Sequence, residues 1–156
     1  MILILTSFSA LAEDVYTKNL RNIKGICLVS PEINVGLSDS DTPFLKNTTI
    51  VNDLFQIIKN KSQAYRIPLA SSNCTFNNYL SVYIDVTDSI NSGVRAVSYK
   101  LQMNTYAMPG GYEGVTTWEI GGSSVTSRST SDLNQYLTNK IGDFMDKFAA
   151  HWATSH

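Results

Sequence analysis

Asp85, Lys100 and Glu119 are the charged side chains whose spacing could bring them together. Each occupies a polar position in a segment that alternates apolar and polar residues, over residues 80–86, 97–104 and 116–120. Successive side chains of a strand point to opposite faces, so all three project from one wet face of a three-strand meander. In a concave cleft, two carboxylates and an ammonium could act as general acid and base, or as the carboxylate pair of a glycosidase. On an open face they are ordinary solvated charges. Tyr79, Tyr83 and Gln102 belong to the same face, with Ser81, Ser98 and Thr117 around them. Tyrosine among small neutral polar groups buries area at little entropic cost, so Tyr79, Tyr83, Asp85, Lys100, Gln102 and Glu119 form a candidate binding surface.

Other chemistry is poorly supplied. The two histidines, His151 and His156, lie at the far end of the chain, where they read as terminal, solvated side chains. Asp39-Ser40-Asp41 suggests a calcium loop, but the further oxygen ligands, the glycine and the closing glutamate do not follow at their required steps. There is no G-x-S-x-G, P-loop or H-E-x-x-H. Asn-x-Ser/Thr matches at Asn47, Asn60 and Asn73 occur about as often as chance gives in a chain so rich in these residues. The expectation is a non-enzyme, without catalytic residues, metal ligands or cofactor.

The elements that must position the face follow from periodicity. Residues 23–29 read as a buried strand that Pro31 ends or puts at an edge. Residues 34–46 read as a loop. A helix capped by Asn47, Thr48 or Thr49 carries Ile50, Leu54, Phe55, Ile57 and Ile58 on a broad stripe and ends near Ala64. A short edge piece follows at residues 66–70. Then comes the meander, with Val82, Ile84, Leu101, Met103, Thr116, Trp118 and Ile120 inward, and Gly121-Gly122 ending or bulging its last strand. A long helix closes the chain, capped by Ser129 or Ser131 and striped by Leu133, Leu137, Ile141, Phe144, Phe148 and Trp152. The predicted fold is α+β: a four- to five-strand, mostly antiparallel mixed sheet with two helices on one face, in the order β-α-(β)-β-β-β-α.

The 156 residues suffice for one domain with a real core. Only 16% are charged and the net charge is −1, which gives no electrostatic footprint for nucleic acid or an anionic membrane. The apolar start ends in Ala10-Leu11-Ala12 before Glu13-Asp14, the shape of a signal-peptide cleavage site, although no Lys or Arg precedes the apolar run. Residues 1–12 are therefore read as a signal peptide and 13–156 as a single domain, periplasmic or secreted, with no integral membrane segment in the mature chain. Cys27 and Cys74 have two open readings: a disulfide in an oxidising compartment, or two buried thiols.

The run from Leu20 to Val29, the segment Val97-Ser98-Tyr99-Lys100-Leu101-Gln102, the pair Thr117-Trp118, and Asp143-Phe144-Met145-Asp146-Lys147-Phe148 together resemble small exported bacterial proteins of unassigned function. The element order is similar to the amino-terminal domain of TolB and to the lipopolysaccharide-assembly lipoprotein. That resemblance implies binding of protein partners at the level of the fold, and it carries no catalytic residues. This chain lacks the lipid-anchor cysteine.

Two functions follow as expectations. One is a domain that binds an envelope or extracellular protein through its open sheet face or an edge strand. The alternative is a carrier for a small apolar ligand, held in a cavity beside Trp118 and Phe144 between the sheet and the C-terminal helix, as in helix-grip folds.

Overall fold

The computed structural model describes residues 15–36, 48–70, 74, 76–88, 94–106, 114–127 and 129–156. The signal-peptide reading and the Asp39-Ser40-Asp41 loop lie outside these residues. The described residues form helices α1 (Val15–Leu20), α2 (Thr48–Ala64) and α3 (Thr130–Ser155), and strands β1 (Ile26–Leu28), β2 (Glu32–Gly36), β3 (Leu69–Ala70), β4 (Asn78–Asp88), β5 (Arg95–Tyr106) and β6 (Gly114–Thr126). The α+β class and the mixed sheet hold, with α1 and β2 as additions.

Alternation in β4, β5 and β6 builds the antiparallel centre. β4 pairs with β5 from Asn78↔Thr105 to Asp88↔Arg95, and β5 pairs with β6 along its length. The other edge of β4 is occupied twice in succession. β1 runs parallel to it at Cys27↔Tyr79 and Leu28↔Leu80, and β2 runs parallel from Glu32↔Tyr83 to Gly36↔Thr87. Pro31 lies between the two and is buried. Having no N–H, it interrupts the ladder without turning the chain away. Part of what read as loop, residues 34–36, is therefore strand. β3 lies parallel to β1 beyond it, through the helical crossover of α2.

The core is the inner face of this sheet. Leu80, Val82, Ile84, Val97, Leu101, Met103 and Trp118 are buried there, against Ile50, Leu54 and Ile58 of α2 and Leu133, Leu137, Ile141, Met145 and Phe148 of α3. Ser129 caps α3, its hydroxyl oxygen accepting from the Asp132 N–H at 3.2 Å. Asp146 of α3 accepts from Lys61 at 2.5 Å and from the Tyr65 hydroxyl at 2.6 Å, tying the end of α2 to α3. These donors hold the Asp146 carboxyl below its usual range, and the same bond raises the Tyr65 phenol. Leu20 at the end of α1 joins the core, and Asn19 Nδ2 donates to the Thr117 carbonyl at 2.9 Å.

Two details of β6 depart from simple alternation. The register shifts so that Met103 faces Trp118 while Asn104 faces Thr116. Thr117 is thus the extra residue of a bulge. Thr116 turns outward, where it meets Gln102 and Asn104, and Thr117 turns inward, accepting from Thr105 at 3.4 Å and donating to the Met103 carbonyl at 3.2 Å. The inward Thr116 and outward Thr117 expected from parity are exchanged. The glycine pair neither ends nor bulges the strand, which continues to Thr126. Gly122 faces Tyr99, whose ring fills the space over it.

The helix α2 ends in a motif of two bonds, Ile67 N–H to Ser62 O at 2.9 Å and Arg66 N–H to Gln63 O at 3.0 Å. Arg66 takes φ 56° there. This is the left-handed position after a helix where glycine is usual, and a residue with a Cβ costs about 1 kcal/mol more there.

Candidate functional site

All six candidate residues lie on the outer sheet face, and four of them gather around one depression. Tyr83, Lys100 and Gly121 stand opposite one another across β4, β5 and β6, and Asp85, Ser98 and Ser123 form the next row. Gly121 offers no side chain opposite Lys100, so the lysine chain has room to cross the face. Its Nζ sits 5.2 Å from the centre of the Tyr83 ring and 3.3 Å from Glu119 Oε2. Ser98 Oγ donates to Asp85 Oδ2 at 3.3 Å. Tyr83, Asp85, Lys100, Glu119 and Gly121 line a shallow depression of about 180 Å³. A second hollow of about 430 Å³ adjoins it through Asp85 and Ser98 and runs toward Ala96, Ser123 and Val125.

The other two candidates stand on the same face, farther along the sheet. Gln102 Nε2 donates to Asn104 Oδ1 and Thr116 Oγ1, each at 2.7 Å. Tyr79 packs edge-on against Tyr106, with ring centres 5.1 Å apart. Asn104, Tyr106 and Thr116 thus belong to the face although they were not among the expected residues. Asn104 and Tyr106 merely continue the alternation of β5 and were legible. Thr116 was not, because a one-residue bulge leaves no mark in the polar pattern around it.

The electrostatics are those of a surface. Lys100 and Glu119 are 41% and 44% exposed, so their pairing contributes at most about 1 kcal/mol. The hollow that Asp85, Lys100 and Glu119 share is smaller than the roughly 300 Å³ at which small-molecule pockets begin. It can hold a projecting side chain or a polar group. It does not enclose a substrate between a desolvated acid and base.

The histidines are placed differently from their terminal reading. His151 is half-buried, and its Nδ1 accepts from Trp118 Nε1 at 2.8 Å. His156 Nε2 lies 2.7 Å from the Ile23 carbonyl oxygen, and its ring stacks on Trp152 with centres 4.2 Å apart. Both fasten the end of α3, His151 half-buried and His156 still exposed. Cys27 and Cys74 form a disulfide with a Cα–Cα distance of 5.6 Å. Cys27 shares the register of Tyr79, so the bridge reaches the outer side of β1 at one end of the sheet. Gly25 packs flat beneath the Phe76 ring, leaving no room for a Cβ.

The space beside Trp118 and Phe144 is filled by rings. Trp118 stands edge-on to Phe148 at 4.9 Å, and Tyr99 stacks on Phe144 at 5.8 Å. The Tyr99 and Tyr136 hydroxyls meet at 2.9 Å. Burial, and then the bond to Tyr136, push the Tyr99 phenol up to about 12. Among the described residues no three His, Cys, Asp or Glu gather as metal ligands, and no helix is long and apolar enough to cross a membrane.

No family model matches the sequence, and no curated protein matches it. Solved structures with a similar fold include the PelC dodecamer from Paraburkholderia phytofirmans, at 15% identity over 76% of this chain and 85% of that one, with a TM-score of 0.42. A DUF330 protein from Xanthomonas campestris is similar at 8% identity over 83% of each chain, with a TM-score of 0.42. A minor lipoprotein from Acinetobacter baumannii is similar at 12% identity over 82% of this chain and 91% of that one, with a TM-score of 0.35. These are distant likenesses of fold, and they do not show the similarity to TolB or to the lipopolysaccharide-assembly lipoprotein.

Proposed function

We propose that this chain is an exported, non-enzymatic domain that binds a protein partner in the cell envelope or outside it through the outer face of its sheet, centred on Tyr83. The observation that carries this reading is the one-sided layering of the fold. Both long helices pack on the inner face, and among the described residues nothing covers Tyr83, Lys100 and Glu119. The half-buried Tyr83 ring, the cation above it and the partly exposed carboxylate beside it stand on a surface rich in Ser, Thr, Gln and Asn. Such a surface forms specific contacts with little entropic loss.

Export is part of the proposal. The Ala10-Leu11-Ala12 junction supports cleavage after residue 12, with a mature domain from Glu13. The disulfide supports an oxidising compartment, the periplasm or beyond. The carrier alternative is the weaker reading, because its cavity would have to open where Trp118, Phe148, Tyr99 and Phe144 pack together.

The test is affinity capture from envelope and extracellular fractions with wild-type and Tyr83→Ala chains of equal Tm. A partner lost only with Tyr83→Ala supports the reading; an unchanged set of captured proteins sinks it.

A further inference from the structure

β6 is an edge of the sheet, and among the described residues it pairs with β5 alone. Its free side is limited at both ends. At one end Asn19 of α1 donates to the Thr117 carbonyl, beside the bulge. At the other the strand stops at Thr126 and the chain enters α3 at Thr130. Between these limits lies Glu119-Ile120-Gly121-Gly122-Ser123-Ser124-Val125. This stretch follows the β5 ladder without a bulge, so every other residue turns its N–H and C=O to the open side. Native edges are kept single by lysine, proline or a bulge. Here there is no lysine or proline, Glu119 is the one charge, and Val125 stands 73% exposed.

The limits select the occupant. Thr117 and Ser127 are equally far from Gly122 in sequence, so a second copy turned about a two-fold axis through Gly122 overlaps the open stretch completely. Where Asn19 closes one copy's edge at Thr117, the other copy's chain has already left for α3. The axis sets Glu119 against Val125, Ile120 against Ser124, Gly121 against Ser123, and Gly122 against itself. Opposed residues then share parity. The open backbone groups of both strands meet, and outward side chains stay on the outer side. Glycine and serine at the centre let the strands approach. The two Glu119 residues lie about 20 Å apart, so like charges are not opposed, and the Glu119 stem of one copy covers Val125 of the other.

We propose that the chain forms a closed two-fold dimer through residues 119–125 of β6, joining two sheets into one. The strip is narrow, so association is reversible. The proposal does not rest on partner binding at Tyr83, which lies two strands away on β4.

Sedimentation of the folded chain across a concentration series should show a monomer–dimer equilibrium, unchanged in Tyr83→Ala. Ser123→Lys supplies the missing edge lysine at an exposed position and should weaken association roughly tenfold or more at unaltered Tm. Cross-linking reads the register. Cys27 and Cys74 are already paired, so a cysteine introduced at exposed residue 119 or 125 carries the only free thiol. Glu119→Cys and Val125→Cys chains should link to each other when mixed under mild oxidation, because opposed residues lie about 5 Å apart. Neither should link to itself, its two thiols being about 20 Å apart across the dimer. A monomer at every concentration, undiminished association in Ser123→Lys, no linked dimer in the mixture, or self-linking of either variant as fast as the mixture overturns the proposal.

Discussion

Tyr99 and Gly122 face each other across β5 and β6, and the tyrosine ring occupies the space that a side chain at residue 122 would need. A Cβ built there would lie 3.0 Å from the Tyr99 hydroxyl oxygen. The ring is held from the other side by Phe144 and Tyr136. The sheet thus accepts a glycine mid-strand because an aromatic from the neighbouring strand supplies the missing surface.

That packing has an alkaline signature. The Tyr99 phenol ionises at about 12 in the folded chain, against 10.0 for an ordinary tyrosine. A folded pKa above the unfolded one means that the fold prefers the protonated form. The contribution is therefore complete below pH about 10 and is lost as pH rises through about 12. Denaturant midpoints measured across that window should fall more steeply for the wild type than for Tyr99→Phe. Equal slopes would show that the phenol does not carry the effect.

The disulfide joins residues 47 apart, a loop whose closure contributes about 4 kcal/mol in the chain-entropy model. Cys74→Ser should lower unfolding stability by roughly 2–4 kcal/mol. Thiol titration of the untreated chain in denaturant should find no free thiol, and reduction should reproduce the variant's midpoint. A full thiol count before reduction would contradict the bridge.

How far the sequence carried these conclusions differs by element. The meander and both long helices were legible because period-two and period-3.6 patterns each run for many residues there, and burial enforces them. β2 was hidden because Glu32-Ile33-Asn34-Val35-Gly36 is short, follows a proline and opens onto a polar stretch. Its pairing comes from the long neighbour β4 rather than from its own propensity. The exchange of Thr116 and Thr117 was illegible for another reason. Two identical residues sit at the bulge, so no change of type could mark which one turns inward. The spread of the candidate face was likewise decided by packing: Tyr79 leans on Tyr106, and Tyr83 has Lys100 above it.

Trp118 joins two layers of the fold, burying its ring against Phe148 while its N–H reaches His151. Removing the ring should cost about 3–5 kcal/mol, the usual range for a buried large aromatic replaced by alanine. Trp118→Phe keeps most of the apolar volume but leaves the imidazole without its donor, at a cost of about 1–3 kcal/mol. Urea unfolding of the two variants, with His151→Ala in a double-mutant cycle, separates the terms. If Trp118→Phe loses the same stability with and without His151, the hydrogen bond contributes nothing.

The Tyr83 face makes the opposite prediction, large for binding and small for stability. Tyr83 and Lys100 meet at 5.2 Å on an open surface, where such a pair contributes about 0.5–1 kcal/mol. Tyr83→Ala and Lys100→Ala should therefore each lower Tm only slightly. Gly121→Val is the sharper probe. Its Cβ would sit 3.1 Å from that of Lys100, so the new side chain crowds the lysine and fills the hollow beside Glu119 without removing any polar group. Partner capture should fall with all three variants. It should persist with Gln135→Ala, an exposed change on α3, away from the sheet's outer face. Loss of capture in Gln135→Ala but not in Gly121→Val would move the binding surface from the sheet to the helices.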